Sequence, residues 1–139
     1  MQSITDELLK ELKNTNDIED FFKTHENEFL IYSHNTYLNE LALLKNLKIS
    51  TIANNSGAGE YTYKVFSGER KPSRDILISI SIGMGLSLEE TQLLLRISKF
   101  AILDSRDKRD SIIIYGLTHN LSVHQTDDML YNQKMLTLN

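Results

Sequence analysis

The sequence predicts an all-α fold, and three observations support this prediction. Its 139 residues include six glycines and one proline, so the residues that interrupt helices are scarce. Apolar residues recur at the three- and four-residue spacing that places them on one face of a helix. Two segments in the C-terminal half carry the signals that begin and end helices. With 40% hydrophobic residues, a chain of this length can bury the core of one domain.

The first 34 residues predict acidic amphipathic helices. In SITDELLKELKN, Ser3 and Asp6 are spaced for an N-terminal cap. The same segment has one apolar stripe, formed by Ile4, Leu8, Leu9 and Leu12. In NDIEDFFKTHENEFL the apolar residues at helical spacing are Ile18, Phe21, Phe22 and Phe29. Residues 1–30 hold eight acids and three lysines, a net charge of −5. These helices either cover one face of the core or form a dimer surface.

The middle of the chain predicts further helices and contains one ambiguous segment. NTYLNELALLKNL predicts a helix whose apolar side consists of Leu38, Leu41, Leu44 and Leu47. Two short helical segments follow, around KISTIANN and EYTYKVF. The ambiguous segment is ILISISIG at 76–83, where isoleucine alternates with leucine and serine in the period-two pattern of a half-buried strand.

An internal repeat favours a helix for this ambiguous segment. RDILISISIGMGLSLEETQLLL at 74–95 aligns without gaps on RDSIIIYGLTHNLSVHQTDDML at 109–130, and seven of 22 positions are identical. Each copy contains a serine with Glu or Gln three residues later, which is the capping box that begins a helix: Ser87 and Ser122. Before each serine stands a residue that tolerates the left-handed end of a helix, Gly85 or Asn120. Each copy therefore predicts an αα-hairpin.

The charge is unevenly distributed along the chain. The formal net charge is −4, yet residues 45–74 are net +4. That window holds two acids and six bases: Lys45, Lys48, Lys64, Arg70, Lys71 and Arg74. A local basic surface on an acidic protein indicates an anionic partner. The segment DSRDKRD at 104–110 alternates in sign instead, and predicts a solvated helix start.

The stretch LKISTIANNSGAGEYTYKVFSGERKPSRDIL resembles the helix-turn-helix of Xre/Cro-type transcriptional regulators, which have a lambda-repressor-like DNA-binding domain. Ile52-Ala53 match the second helix, SGAG matches the turn, and YTYKVFSG matches the recognition helix with its closing glycine. ERKPSRDIL and GMGLSLEETQLLL match the last two helices of this five-helix core. More narrowly, the whole chain is similar to a group of small uncharacterised Firmicutes-type regulators with an acidic N-terminal segment and a helical tail.

The resemblance implies one helical domain over 1–139, with acidic N-terminal helices at 1–34, the helix-turn-helix core at 35–98 and a C-terminal helical extension with an αα-hairpin at 99–139. Counting back from Gly68, Val65 and Thr62 are expected to point inward. The outward side chains would then face DNA bases: Glu60, Tyr61, Tyr63 and Lys64. The expected phosphate contacts are Arg70, Lys71, Arg74 and the helix start capped by Ser73. For Arg74 an alternative is a structural ion pair, because Arg-Asp recurs at Arg109-Asp110.

These residues leave more than one function open. The first hypothesis is a sequence-specific regulator that binds double-stranded DNA as a homodimer. The rival is a protein-interaction module that keeps the fold without binding DNA. Three features favour the rival: Ile49 replaces a polar residue that contacts phosphate in the family, eleven residues rather than twelve separate Gly57 from Gly68, and Glu60 repels phosphate. A third possibility is an antitoxin-like protein that binds both DNA and a protein partner.

Other function classes find little support in the sequence. The chain has no cysteine, which suits a reducing compartment, and no apolar run near the roughly 18 residues of a membrane span, so a cytoplasmic location is expected. The four histidines, His25, His34, His119 and His124, lack the spacing of metal ligands. No serine, histidine and aspartate group as a nucleophile and its base. We therefore expect no catalysis, no metal and no cofactor.

Overall fold

The computed structural model describes residues 4–26 and 33–139, and for Ile4 and Thr5 it describes the backbone only. Within these residues every regular secondary-structure element is a helix, which confirms the predicted all-α fold class. The helices are α1 (Ile4–Asn14), α2 (Ile18–Thr24), α3 (His34–Leu44), α4 (Ile49–Ser56), α5 (Tyr61–Ser67), α6 (Arg74–Met84), α7 (Leu88–Ile97), α8 (Lys108–Thr118) and α9 (Val123–Asn132). In the same ranges, no helix has both the length and the apolar character that a membrane span requires.

The chain divides into two compact units, Met1–Ile31 and Tyr32–Asn139. The first unit contains α1 and α2. Asp17 caps α2 by accepting hydrogen bonds from the backbone N–H groups of Glu19 and Asp20. Phe21 is buried and lies against the ring of His25, with 4.8 Å between the ring centroids. Other predicted stripe residues are exposed: Leu9, Leu12, Ile18 and Phe22. The predicted roles of Ser3 and Phe29 fall outside the described residues.

The second unit packs α3 to α9 around one core. In α3, Leu38 and Leu41 are buried as predicted, and Leu47 packs partly against the core after the helix has ended. The prediction for Leu44 is wrong, because its side chain is 81% exposed. At 3.6 residues per turn Leu44 lies about 120° around the helix from Leu38. Ala42 takes the inward place instead.

The ambiguous segment at 76–83 lies within α6, as the repeat predicts. Its alternation does not mark two sheet faces, because every residue from Leu77 to Ile82 is buried and the helix is covered on all sides. Ser81 satisfies its hydroxyl by donating to the carbonyl of Leu77 at 2.8 Å. Because the side chains of Ser79 and Ser81 are small, neighbouring helices can approach α6 closely.

The two copies of the repeat fold into the same structure. The hairpin α6–α7 ends its first helix at left-handed Gly85, and the hairpin α8–α9 places Asn120 at a φ of 56°. Both predicted capping boxes form, at Ser87 and Ser122. The cross-packing is also reciprocal, because α7 packs against α8 and α6 packs against α9.

Two crossed ion pairs join the hairpins. Arg74 donates to both carboxylate oxygens of Asp110 at 3.2 and 3.0 Å, and Arg109 donates to both oxygens of Asp75 at 3.0 Å. The expected solvated character of 104–110 is therefore wrong for Asp110, which is buried. Each arginine is paired with the aspartate of the other copy rather than with its own neighbour.

The equivalence extends beyond the aligned residues. Arg74 also donates to the carbonyls of Ala101 and Ile102, and Arg109 donates to those of Leu136 and Thr137, at the same sequence distances. Gln92 accepts from the backbone N–H of Leu103, and Asp127 accepts from that of Leu138, 35 residues later. The repeat therefore covers 74–104 and 109–139, including the segment after each hairpin.

The two ion pairs differ in burial, which predicts unequal effects of mutation. The Asp110 side chain is 10% exposed and that of Asp75 is 37% exposed. Arg74→Ala leaves a buried carboxylate without its partner and is expected to lower the free energy of unfolding by about 3 kcal/mol. Arg109→Ala leaves a more solvated carboxylate and is expected to cost about 1 kcal/mol. Urea unfolding of both variants measures this, and equal or reversed losses contradict the ranking.

A second prediction concerns the crossing of α4 and α6. A Cβ atom added at Gly83 would lie 2.8 Å from the backbone nitrogen of Ser56. Alanine normally stabilises a helix relative to glycine by about 1 kcal/mol. Here Gly83→Ala must push two backbones apart, so we expect a net loss of about 1–3 kcal/mol in urea unfolding. A variant as stable as the wild type would contradict this prediction, because it would mean that α4 and α6 can move apart at little cost.

Candidate nucleic-acid interface

Helices α4 and α5 form a helix-turn-helix over the resembling segment. Ile52 and Ala53 of α4 are buried, and α4 ends at Gly57, whose φ is 74°. The turn is held by a hydrogen bond from the backbone N–H of Gly59 to the carbonyl of Ala53 at 3.3 Å. Helix α5 then begins at Tyr61 and ends at Gly68, as the sequence predicts.

The inward face of α5 follows the sequence prediction, and the outward face follows it except at Tyr61. Thr62 and Val65 are completely buried, and Phe66 joins them in the core. The exposed side chains are those of Tyr63, Lys64 and Ser67 within the helix and Glu60 just before it. Tyr61 is half-buried and packs against the core, so only part of its ring remains available for a ligand.

The basic bend, residues 68–73, is fixed to the end of α5. Gly68 has a φ of 82°, a conformation that costs any other residue strain. This turn brings the backbone N–H of Gly68 to the carbonyl of Val65 and that of Arg70 to the carbonyl of Lys64, both at 3.2 Å. The position of Arg70 is therefore tied to the exposed face of α5 through two backbone hydrogen bonds.

The basic bend presents cations beside the start of α6. Arg70 and Lys71 are exposed, and the Lys71 ammonium lies 5.6 Å from the centre of the Phe100 ring. Ser73 accepts a hydrogen bond from the backbone N–H of Ile76 at 3.2 Å and caps α6. The N-terminus of α6, which is the positive end of its helix dipole, thus follows directly after two exposed positive side chains.

Arg74 differs from the other residues expected to contact phosphate. Its guanidinium donates to Asp110, to Ala101 and to Ile102, and its side chain is 23% exposed. These contacts match the alternative interpretation, a structural ion pair, although its partner is not the adjacent Asp75. We therefore leave Arg74 out of the proposed contact surface.

Lys45 is likewise engaged elsewhere. Its ammonium lies 3.1 Å from the carboxylate of Glu90, at the start of α7. Burial raises the pKa of Glu90, but hydrogen bonds from Ser87 and Lys45 outweigh it and the pKa is lowered. Of the six bases in the basic window, those without an ion pair in the described part of the chain are Lys48, Lys64, Arg70 and Lys71.

Two residues of α3 support the site although the sequence pattern does not single them out. Asn39 donates its side-chain N–H to the carbonyl of Phe66 at 2.8 Å, close to the end of α5. His34 lies near the basic bend, and its Nε2 atom is buried without a hydrogen-bond partner among the described residues. Neither polar residue lies on the apolar stripe from which the helix is predicted.

Burial lowers the pKa of His34 below its usual value of 6.5. The carbonyls of Arg70 and Val65 act in the opposite direction, and the charge of Lys71 adds to the lowering. The lowered pKa favours the neutral form of the ring.

The arrangement can meet an extended anion at three adjacent places: the exposed face of α5, the basic bend and the first turn of α6. Comparison with protein-family models, with curated proteins and with solved structures gives no significant match. The Xre/Cro resemblance therefore stays a hypothesis drawn from the residues themselves.

The His34 environment predicts how stability depends on pH. Because its folded-state pKa is lowered, the unfolded chain binds the proton more readily, and stability falls as pH drops from 6.5 through the folded value. In urea unfolding at pH 7 and pH 5, the wild type should therefore lose more stability than His34→Gln. An NMR titration of the His34 ring gives the folded pKa directly. A value at or above 6.5 would contradict the prediction.

Proposed function

We propose that this protein is a sequence-specific DNA-binding transcriptional regulator that acts as a homodimer in the cytoplasm. The observation that carries the proposal is the α5 helix with the basic bend fixed to its end. A short exposed helix fits the major groove of B-DNA, while cations and a helix start beside it fit the phosphate backbone. The helix ends and inward residues found for α4 and α5 support the resemblance that suggested this function.

Two kinds of contact are assigned on this basis. Lys64, Glu60 and the exposed part of Tyr63 face bases, with Tyr61 at the edge of the surface. A lysine can donate to guanine, and a glutamate can accept from cytosine N4, so this pair can read sequence. Arg70, Lys71 and the α6 start at Ser73 hold phosphate and set the position of α5 on the duplex.

The rival function is a protein-interaction module that retains the helix-turn-helix without DNA. One structural observation favours it: Lys45 and Arg74 pair with Glu90 and Asp110, which leaves few bases for phosphate. Glu60 is also exposed on the same face. An antitoxin-like protein would combine the two functions, with DNA on α5 and a protein partner on another surface.

Salt dependence separates the regulator from the rival. In fluorescence anisotropy against genomic fragments, including the region upstream of its own gene, binding should weaken linearly on a log scale as salt rises. Arg70→Ala/Lys71→Ala should weaken binding to all sequences and reduce the slope by about two per protomer. Lys64→Ala should instead relax the preference among sequences.

A matched control is Lys10→Ala/Lys13→Ala, which removes the same charge from exposed positions on α1. The control should keep the wild-type slope, since those lysines lie outside α5 and the basic bend. If no fragment binds in a salt-dependent way, or if the control and the bend variant lose the same affinity, the protein-interaction module is the better description.

A further inference from the structure

A shallow apolar groove of about 420 Å³ lies on the second hairpin, between α8 and the end of α9. Its lining residues are Lys108, Ser111, Ile112, Met129, Asn132, Gln133 and Met135. Ile112 and Met135 pack partly against the core and keep part of their surface exposed. Lys108 is the one charged residue among these lining residues, so the charge of the groove is positive.

The internal repeat shows what the same surface looks like in the first hairpin. Shifted by 35 residues, Ile112 and Met129 correspond to Leu77 and Leu94, both completely buried. Exposed Gln133 corresponds to buried Ser98. The two hairpins therefore share a backbone arrangement, but three positions that are buried in the first copy keep exposed surface in the second.

Helices cover the face in the first copy. There α4 packs against α6 and α3 packs against α7. The inward residues of α3 are Leu38, Leu41 and Ala42, so this cover includes an amphipathic helix with aliphatic residues at a spacing of three and four. Within 33–139, the main packing partners of α8 and α9 are each other, α6 and α7.

We propose that the groove on the second hairpin binds an amphipathic helix of a partner protein, with leucine anchors like those of α3. The first hairpin shows that a surface of this geometry accepts such a helix. Methionines adapt to different apolar partners, and Met129 and Met135 supply most of the apolar floor with Ile112. Lys108 at the edge favours a helix that carries a carboxylate there. This inference does not depend on DNA binding.

The test uses the α3 sequence itself as the probe, as a synthetic peptide of residues 33–47, SHNTYLNELALLKNL. The full chain is labelled with ¹³C on its methionine methyl groups. Adding the peptide should shift the signals of Met129 and Met135 in a saturable way. The signal of Met84, which is buried in the core, should stay in place.

Variants locate the binding. Met129→Glu introduces a charge into the groove and should abolish the shift at Met135, whereas Leu44→Glu, a matched change at an exposed leucine, should leave it intact. Lys108→Glu changes an exposed side chain without entering the core. By the repeat, Lys108 corresponds to Ser73, next to the basic bend where His34 begins α3. Lys108→Glu should therefore weaken binding of a peptide with His34→Glu at least threefold relative to the wild-type chain, and it keeps the proposal testable if Met129→Glu fails to fold.

Three outcomes would overturn the proposal. The first is no shift at Met129 and Met135 at about 1 mM peptide, where even an interaction of about −4 kcal/mol is half-saturated. The second is a shift at Met84 that persists in the groove variants, which means that the peptide replaces the chain's own α3. The third is a concentration-dependent shift without peptide, which assigns the groove to a second copy of the chain.

Discussion

The second unit depends on α6 being covered on every side. A helix with buried residues from Leu77 to Ile82 is stable only when other helices remove all its faces from water. Helix α4 covers one side of α6 and crosses it at Gly83. Helix α9 of the C-terminal hairpin packs against α6 as well, and the Arg74–Asp110 pair joins α6 to α8. Helices α4 and α5 and the C-terminal hairpin are therefore parts of one packing arrangement rather than separate modules.

Charge on this protein is divided between structural and solvent-facing roles. The guanidinium groups of Arg74 and Arg109 form the crossed ion pairs and donate hydrogen bonds to carbonyls near the end of each repeat. Lys45 joins α3 to the start of α7 through Glu90. Among the six bases of residues 45–74, the described structure leaves Lys48, Lys64, Arg70 and Lys71 without an ion pair. Under the proposed function, a small group of this kind favours positioning on a specific duplex over tight binding to any polyanion.

The duplicated hairpins show how one backbone pattern serves two environments. Buried leucines in the first copy become Ile112 and Met129 in the second, where the face is open. The contacts that fold each hairpin stay the same, from the capping boxes to the bonds of Gln92 and Asp127. The tail of the second copy also reaches the helix-turn-helix, since Asn139 donates to the carbonyl of Ser56 at 3.3 Å. The segment from Met135 in the groove to Asn139 thus connects the second hairpin with the end of α4.

Local signals in the sequence determined the helices, their caps and the two faces of α5. Capping serines, left-handed glycines and apolar spacing act within a few residues, so they can be recognised without the rest of the fold. The tertiary structure decided which charges are free and which apolar residues are covered. Leu44 belongs to a leucine-rich helix yet faces solvent, and Arg74 lies in the basic window yet binds Asp110. The role of Arg74 depends on a partner 36 residues away, and such a long-range contact leaves no local pattern in the chain. The exposure of Leu44 follows instead from its angular position on α3, which decides its fate only once the neighbouring helices fix the inward face.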